Sequence, residues 1–240
     1  ADDARGELRV TRVEKKQRRR NPAAPFITST LQQEASRKLR FSAQQTMRIA
    51  QQLYEGVDTG NGTVGLITYM RTDSVNLSQE AIQGLRSLIE ARFGKDKLPA
   101  TPNQYRTRAK NAQEAHEGIR PTDPERQPEA LKGHLSDDQY RLYDLIWKRT
   151  VACQMIHATI DTVSVDLAAG STASFRATGS TIRDPGFMAV YKEDGDDRTA
   201  DASERILPPL EEGDRIPLLA LRPEQHFTEP PPRYSDASLV

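Results

Sequence analysis

The sequence has 240 residues, of which 34 are Lys or Arg, 34 are Asp or Glu, and only 6% are aromatic. A chain of this length can bury one large hydrophobic core or two small ones. No apolar run approaches the roughly 20 residues of a membrane-spanning helix, and the single cysteine, Cys153, excludes an intramolecular disulfide and a cysteine-based zinc site. We expect a cytoplasmic protein, and because the sequence starts without a methionine we expect a fragment of a longer one.

The charges are distributed unevenly along the chain. Residues 1–20 hold eight Lys or Arg against four Asp or Glu, and residues 21–120 hold thirteen against nine. Residues 191–240 hold six against twelve. A basic first half followed by an acidic tail predicts that a polyanion binds the first half.

The first predicted element is a half-buried strand over residues 6–15, where Leu8, Val10 and Val13 lie between polar residues. The basic run KKQRRR at 15–20 follows. It is either a solvated linker or a surface that follows phosphates, and the uneven charge favours the second. The proline-rich stretch at 21–25 then marks a domain boundary, because proline interrupts both strand ladders and helices.

A helix is predicted after Phe26 and Ile27, with Ser29 or Thr30 as its N-cap and a glutamine that reaches back to it. The free amides of a helix start bind phosphate groups, so Ser29 and Thr30 are candidate phosphate contacts.

Three further helices are predicted from serine caps. The first begins after Ser42 and stops at Gly56, and the second begins after Ser78 and stops at Gly94. The third begins after Ser136 and carries an apolar face that includes Trp147, which we expect in the core and not as a platform for base stacking.

The segment from Gly65 to Ser74 concentrates reactive side chains after a short apolar run that predicts a buried strand. A tyrosine ionises only near pH ~10, so a nucleophilic Tyr69 needs neighbours that favour the phenolate. Arg71 can supply the cation and hold a phosphate, and Asp73 either orients Arg71 or moves a proton. Spacing alone also fits a strand-ending core tyrosine beside a surface arginine.

A second polar cluster, EAHEGIRPTD at 114–123, contains His116 and Arg120. His116 is adjacent to Glu117 and has no second histidine four residues on, so a zinc site is not expected. A titratable histidine and a permanent cation can bind a phosphate and tune Tyr69. The alternative is a structural pair that caps a turn before Pro121.

From Ala158 the apolar period changes to two, with a turn at Gly170 and further strands predicted at 187–191 and 216–221. The predicted fold is α+β, with a mostly helical domain at 26–156 inserted between two segments of a β domain, 1–25 and 157–225. The chain ends of one domain commonly lie close together, which permits such an insertion.

Four segments resemble the type IA DNA topoisomerases, in the order that this family has: PFITSTLQQEAS at 25–36, TYMRTDS at 68–74, EAHEGIRPTD at 114–123, and HFTEPPPRYSDASLV at 226–240. The resemblance implies that the helical domain carries the active-site tyrosine on a β-rich arch that lifts to open a gate, and that residues 226–240 begin the return to the enzyme body. The connection before Gly65 is longer than in many members.

By that resemblance, Tyr69 attacks single-stranded DNA and forms a 5′-phosphotyrosyl link, with Arg71 and His116 as further catalytic residues. The implied DNA contacts also include Thr72, Asp73, Arg120, Ser29 and Thr30. A strand then passes, and religation needs no ATP.

The family's metal-binding domain has no match in this sequence. We therefore expect no cofactor in this fragment, Mg²⁺ in the full-length enzyme, and no activity of the fragment alone. The expected partners are single-stranded DNA and the remaining domains of a monomeric, nucleoid-associated parent.

The main alternative is a single-stranded nucleic-acid-binding module without chemistry. A tyrosine recombinase or relaxase would need a wider Arg and His set or a histidine metal cluster, whereas the four histidines here are scattered singly.

Overall fold

The chain divides into two compact units. The computed structural model describes residues 6–60, 62–106, 116–192 and 206–228, together with Pro230, Tyr234 and Leu239. The sheet unit comprises residues 1–20, 158–185 and 197–232, and the helical unit comprises residues 21–157, 186–196 and 233–240. The combination of separate helices with an antiparallel sheet confirms the α+β class.

The sheet unit is built on a four-stranded sheet in which all neighbouring strands are antiparallel. Its order is β5-β4-β1-β6, with β1 at Glu7–Arg20, β4 at Ala158–Ala169, β5 at Ala173–Asp184 and β6 at Arg215–Pro217. Gly170 lies in the left-handed region at φ 64° between β4 and β5, as expected for the predicted turn. Val10 and Val165 are among the buried side chains of this sheet.

The basic run at 15–20 is part of a strand and not a linker, which corrects the predicted strand end. Strand β1 pairs with β4 from Lys15, opposite Val163, to Arg20, opposite Ala158. Backbone pairing does not require apolar side chains, and exposed strands near a sheet edge commonly carry Lys and Arg. Side-chain alternation therefore could not reveal this half of the strand.

Two other strand predictions need correction. Residues 187–191 form no strand, because Gly186–Ala189 is a 3₁₀ turn of the helical unit with Phe187 and Tyr191 buried. A short apolar run fits a buried strand and a buried turn equally well. The predicted strand at 216–221 is limited to β6, and Leu219 beyond it is 92% exposed.

The helical unit contains five α-helices and a short hairpin among its described residues. A π-helical turn at Ala35–Leu39 follows the first helix. The elements are α1 (Thr28–Glu34), α2 (Ala43–Glu55), β2 (Val57–Asp58), β3 (Thr63–Val64), α3 (Gln79–Phe93), α4 (Pro128–Leu131) and α5 (Asp137–Cys153).

The serine caps of the three longer helices are confirmed. The side chains of Ser42, Ser78 and Ser136 accept hydrogen bonds from backbone N–H groups of the first turns of α2, α3 and α5. Gln139 completes the capping box of α5 by accepting the N–H of Ser136 at 3.0 Å.

The predicted cap of α1 is wrong. Helix α1 starts at Thr28 with Ile27 as N-cap, and the Thr30 hydroxyl accepts the N–H of Ile27 at 3.0 Å from within the first turn. Ser29 and Thr30 therefore lie inside the helix and not at its N-cap. The side chain that bonds back to the N-cap backbone is that of Thr30 and not that of a glutamine.

The core of the helical unit lies along α5, as predicted. Trp147 is 3% exposed and donates its indole N–H to the Pro124 carbonyl at 2.8 Å. Tyr143 is fully buried and donates to the Arg126 carbonyl at 2.7 Å. Cys153 is buried too, which raises the pKa of its thiol to about 12 and makes it a structural, unreactive thiol.

Two polar segments of the sequence lie partly or wholly outside the described residues. The basic segment at 95–113 begins with a 3₁₀ turn at Lys95–Lys97, but its residues 107–113, with Arg108 and Lys110, are not described. The acidic segment at 193–204 is likewise outside the described residues. Among the described helices, none is long and apolar enough to cross a membrane.

Candidate active site

Two of the four resembling segments lie side by side in the helical unit. Ile67 and Pro121 form an antiparallel bridge. The N–H of Thr68 donates to the Arg120 carbonyl at 2.9 Å, and the N–H of Thr122 donates to the Leu66 carbonyl at 3.0 Å. The tyrosine segment is thus hydrogen-bonded to the histidine segment on both sides of the bridge.

The segment at 25–36 joins the same cluster. Phe26 bridges Ile119, whose N–H donates to the Phe26 carbonyl at 2.8 Å. On the other side, the N–H of Thr28 donates to the Thr72 carbonyl at 2.9 Å. Three segments distant in sequence therefore meet around residues 65–74.

Two threonine hydroxyls fasten these segments together. The Thr28 hydroxyl donates to the Met70 carbonyl at 2.8 Å and accepts the N–H of Thr72 at 2.9 Å. The Thr68 hydroxyl donates to the Gly118 carbonyl at 2.8 Å and accepts the N–H of Arg120 at 3.0 Å. Side chains thus supply hydrogen bonds that a regular strand ladder would otherwise make.

The predicted continuous strand that ends at Tyr69 is therefore only partly present. Regular strand structure is confined to β3, and a single bridge follows at Ile67. Leu66, Ile67 and Met70 are nevertheless buried, as the apolar run predicted. Their burial and the threonine hydrogen bonds hold the backbone on both sides of Tyr69.

Two glycines permit this close packing. A Cβ on Gly65 would lie 2.6 Å from the carbonyl oxygen of Tyr54 at the end of α2. A Cβ on Gly118 would lie 3.0 Å from Cβ of Pro25 and 3.3 Å from the Ser74 carbonyl oxygen. Each glycine therefore allows backbone segments to approach more closely than any larger residue would.

Tyr69 projects from this buried support with 40% of its surface exposed. Its ring contacts His116 edge to face, with centroids 6.1 Å apart and an interplanar angle of 70°. Its ring also contacts Tyr54, at 5.4 Å and 64°. The phenol is accessible to a ligand and has an imidazole as neighbour, so the alternative of a core tyrosine does not describe it.

Arg71 and Asp73 are exposed, whereas Thr72 and Ser74 between and after them are buried. The structure shows neither an ion pair nor a hydrogen bond from the Arg71 or Asp73 side chain to any described residue. Arg71 is therefore a cation available to an external anion. The Thr72 hydroxyl accepts the N–H of Ser74 at 3.0 Å, so it shapes the turn that carries both charged residues.

Arg120 is engaged by Glu117, a residue that sequence reasoning considered only as a metal ligand. Its Nε and Nη2 donate to one oxygen of Glu117 at 3.1 and 2.6 Å, and Nη1 donates to the Pro121 carbonyl at 2.9 Å. The other Glu117 oxygen accepts the N–H of Ser78 at 2.5 Å. Burial alone would raise the pKa of Glu117, but the hydrogen bonds from Arg120 and Ser78 outweigh it and hold the pKa below its usual range.

This ion pair links the histidine segment to the start of α3. The sequence left open a structural pair of His116 with Arg120, whereas the ion pair of Arg120 is with Glu117. Ser29 is half-buried in the first turn of α1, and the Thr30 hydroxyl is occupied by Ile27. Thr28 contacts the tyrosine segment directly, although no sequence signal distinguished it from its two hydroxyl neighbours.

The described residues contain no group of three or more His, Cys, Asp or Glu side chains that could hold a metal ion.

The whole chain matches one protein family. The family model described as "DNA topoisomerase" matches residues 2–240. The chain is 55% identical to DNA topoisomerase 1 of Xylella fastidiosa strain Temecula1 over 240 residues, which is 99% of this chain and 29% of that protein. It is 54% identical to DNA topoisomerase 1 of Rickettsia felis over 232 residues, or 96% of this chain and 30% of that protein.

A solved structure is also similar. The full-length topoisomerase I from Thermotoga maritima matches with a TM-score of 0.75 and 37% sequence identity. The match covers 88% of this chain and 33% of the Thermotoga chain. The chain thus spans less than a third of the length of these curated relatives and about a third of the solved structure.

Proposed function

The chain belongs to the DNA topoisomerase family whose model it matches over residues 2–240, and we propose that it is the part of a type IA enzyme that carries the nucleophilic tyrosine. The observation that carries this proposal is the exposed Tyr69 phenol on a backbone held by three segments, with Arg71 two residues further along and without an ion pair or side-chain hydrogen bond to any described residue. A nucleophile that is accessible, held by its backbone and followed by an exposed cation meets part of the geometric needs of attack on a phosphodiester.

In the proposed reaction, the Tyr69 oxygen attacks a phosphorus of single-stranded DNA. The phenol loses its proton, an O–P bond to the 5′-phosphate forms, and the bond to the 3′-oxygen breaks. The 3′-oxygen leaves as a hydroxyl after taking one proton. The broken phosphodiester is replaced by another phosphate ester, the one to Tyr69. The 3′-hydroxyl can therefore attack this ester and reverse the step without ATP.

Arg71 and His116 are the proposed catalytic partners of Tyr69. A permanent cation beside the phosphorus stabilises the negative charge that builds on its oxygens during attack. We propose that the His116 imidazole, whose ring centroid lies 6.1 Å from that of Tyr69, binds the phosphate or takes up a proton. Asp73 is exposed and remains a candidate both for orienting Arg71 and for proton transfer.

The remaining proposed DNA contacts differ in how freely they can reach DNA. Arg120 already donates two hydrogen bonds to Glu117, so its main role is to stabilise the site. It can bind phosphate only through N–H groups that do not donate to Glu117. Thr72 is 7% exposed and acts through the turn that presents Arg71 and Asp73. Ser29 and Thr30 lie in the first turn of α1, where N–H groups face outward from the helix start.

At the level of the whole enzyme, we propose strand passage and relaxation of negative supercoils by a monomeric, cytoplasmic parent associated with the nucleoid. The parent is expected to need Mg²⁺, and we assign no step to Mg²⁺ held by this chain. Alone, the 240-residue chain is expected not to relax DNA, because the residues assigned here supply the nucleophile and only part of the phosphate grip. Residues 1–25 and 157–225 are proposed to form the two segments of the arch, and residues 226–240 to begin the return to the enzyme body.

A covalent adduct assay on the full-length parent enzyme tests this proposal. The enzyme is incubated with a labelled single-stranded oligonucleotide, denatured, and separated so that only covalent adducts stay attached to protein. The adduct is expected with the native enzyme and with the control Tyr140→Phe, which changes a half-buried tyrosine on α5. It is expected to disappear with Tyr69→Phe. An adduct that persists in Tyr69→Phe would assign the nucleophile elsewhere, and no adduct in any variant would favour a binding module without chemistry.

A further inference from the structure

Two exposed aromatic rings lie together beside the proposed nucleophile. Within residues 21–157, and counting only the described ones, Tyr54 at 41% and Tyr69 at 40% are the only large apolar or aromatic side chains that are exposed. Their centroids are 5.4 Å apart. A pair of adjacent, exposed aromatic rings indicates a binding site for a ligand with a flat apolar face.

The position of Tyr54 relative to Tyr69 is fixed by the backbone. Tyr54 lies on the last turn of α2, where the carbonyl of its neighbour Leu53 accepts the N–H of Leu66 at 2.7 Å. Gly65 has no side chain to separate the Tyr54 carbonyl from this segment. The end of α2 and the tyrosine segment are therefore joined by a backbone hydrogen bond and by the close packing at Gly65.

The two rings can have different roles towards a single-stranded substrate, one in attack on the phosphate and the other in contact with a base. Tyr69 has to direct its hydroxyl at phosphorus, and Arg71, which has no side-chain partner among the described residues, can bind the same phosphate. The edge-to-face contact at 64° leaves both faces of one ring uncovered, whereas a parallel stack would cover one face of each ring. Every nucleobase has a face that stacks on an aromatic ring, so stacking can position a strand without reading its sequence.

We propose that Tyr54 is a nucleobase-stacking residue that holds the base next to the cleaved phosphate and thereby positions that phosphate against Tyr69. The inference rests on the proposed function, since it takes the ligand to be single-stranded DNA with its cleaved phosphate at Tyr69.

A binding experiment separates this role from catalysis. The full-length enzyme carrying Tyr69→Phe, which cannot form the adduct, is titrated with oligonucleotides that hold 2-aminopurine on either side of the cleavage site. Stacking on a ring quenches 2-aminopurine fluorescence. In this background Tyr54 is kept or changed to Phe, Trp or Leu, and the control is Phe175→Leu, an equally exposed ring (42%) on β5.

Quenching and affinity are expected to persist with Tyr54→Phe and Tyr54→Trp, which keep an aromatic face. With Tyr54→Leu, quenching at one of the two positions should be lost and affinity should fall about 5- to 150-fold. The control should leave both unchanged. Unfolding curves of each variant show whether the fold is intact, and the Phe and Trp variants test the proposal even if the leucine variant is unstable.

Unchanged quenching and affinity with Tyr54→Leu would overturn the proposal. So would slower cleavage by Tyr54→Leu in the active enzyme with normal quenching, because the ring would then act only on Tyr69. The adduct assay with Tyr69→Phe reports the failure of the proposed function separately, since it does not depend on Tyr54.

Discussion

Replacing Gly65 with alanine is expected to destabilise the helical unit, because Gly65 lies against the end of α2. The added Cβ would be 2.6 Å from the Tyr54 carbonyl oxygen and 3.7 Å from its carbonyl carbon. These are backbone atoms, and the next residue, Leu66, is hydrogen-bonded to Leu53 at 2.7 Å. The methyl group can be accommodated only if this junction opens.

The expected magnitude follows from two costs. Forcing an extra carbon into a packed site costs about 1–3 kcal/mol. Weakening the hydrogen bond between Leu66 and Leu53 costs about 0.5–1.5 kcal/mol more. We therefore expect the free energy of unfolding of the helical unit to fall by roughly 2–4 kcal/mol.

Urea unfolding followed by the fluorescence of Trp147 measures this change. Trp147 is the only tryptophan in the sequence and is buried in the helical unit, so the signal reports that unit alone. The matched control is Gly133→Ala, where an added Cβ would meet nothing within 4 Å. The control is expected to keep or slightly gain stability. Equal stability of the Gly65→Ala and Gly133→Ala variants would refute the close approach inferred at Gly65.

Three further outcomes are expected. In the full-length enzyme, Arg71→Ala should slow cleavage about 10²–10³-fold and weaken DNA binding much less, and equal losses would make Arg71 a simple phosphate anchor. Because the folded pKa of Glu117 is lowered, its carboxylate stabilises the fold above its unfolded pKa of about 4.3, and this contribution disappears as the pH falls through the folded value. Glu117→Gln should therefore lose less stability than the native chain on acidification below about pH 4.5, whereas identical acid unfolding curves would contradict the role of the ion pair with Arg120. The isolated chain should bind single-stranded DNA with an affinity that falls steeply between roughly 50 and 200 mM salt, with a shallower slope once Arg18 and Arg19 of β1 are changed to Gln, and salt-independent binding would exclude phosphate contacts.

The helices of this protein could be predicted because their signals are local. A serine cap, a glutamine three residues later and a closing glycine all act within one or two turns, as Ser136 and Gln139 do at α5. Helix α1 lacks such a signal, since its N-cap is Ile27 and its support comes from Thr72, more than forty residues away. The second half of β1 was missed for the same reason, because its partner β4 begins at Ala158.

The sequence identified several side chains around Tyr69 but did not predict which of them contact one another. Resemblance marked Tyr69, Arg71 and His116, and the structure brings the rings of Tyr69 and His116 into contact. Nothing in the sequence indicated that the β2–β3 hairpin, which connects the two residues, brings the ring of Tyr54 into contact with that of Tyr69. The pairing of Glu117 with Arg120 also depends on a non-helical turn, in which residue spacing does not determine which side chains meet.

The most direct test of the central claim is to identify the residue that carries DNA in the covalent adduct. The adduct of the full-length enzyme is treated with nuclease to leave a short nucleotide remnant and then with trypsin, which releases residues 49–71 as one peptide with Tyr54 and Tyr69 as its two tyrosines. Fragmentation in a mass spectrometer is expected to place the nucleotide on Tyr69. A nucleotide on Tyr54, or on a peptide from outside residues 49–71, would contradict the assignment of Tyr69 as the nucleophile.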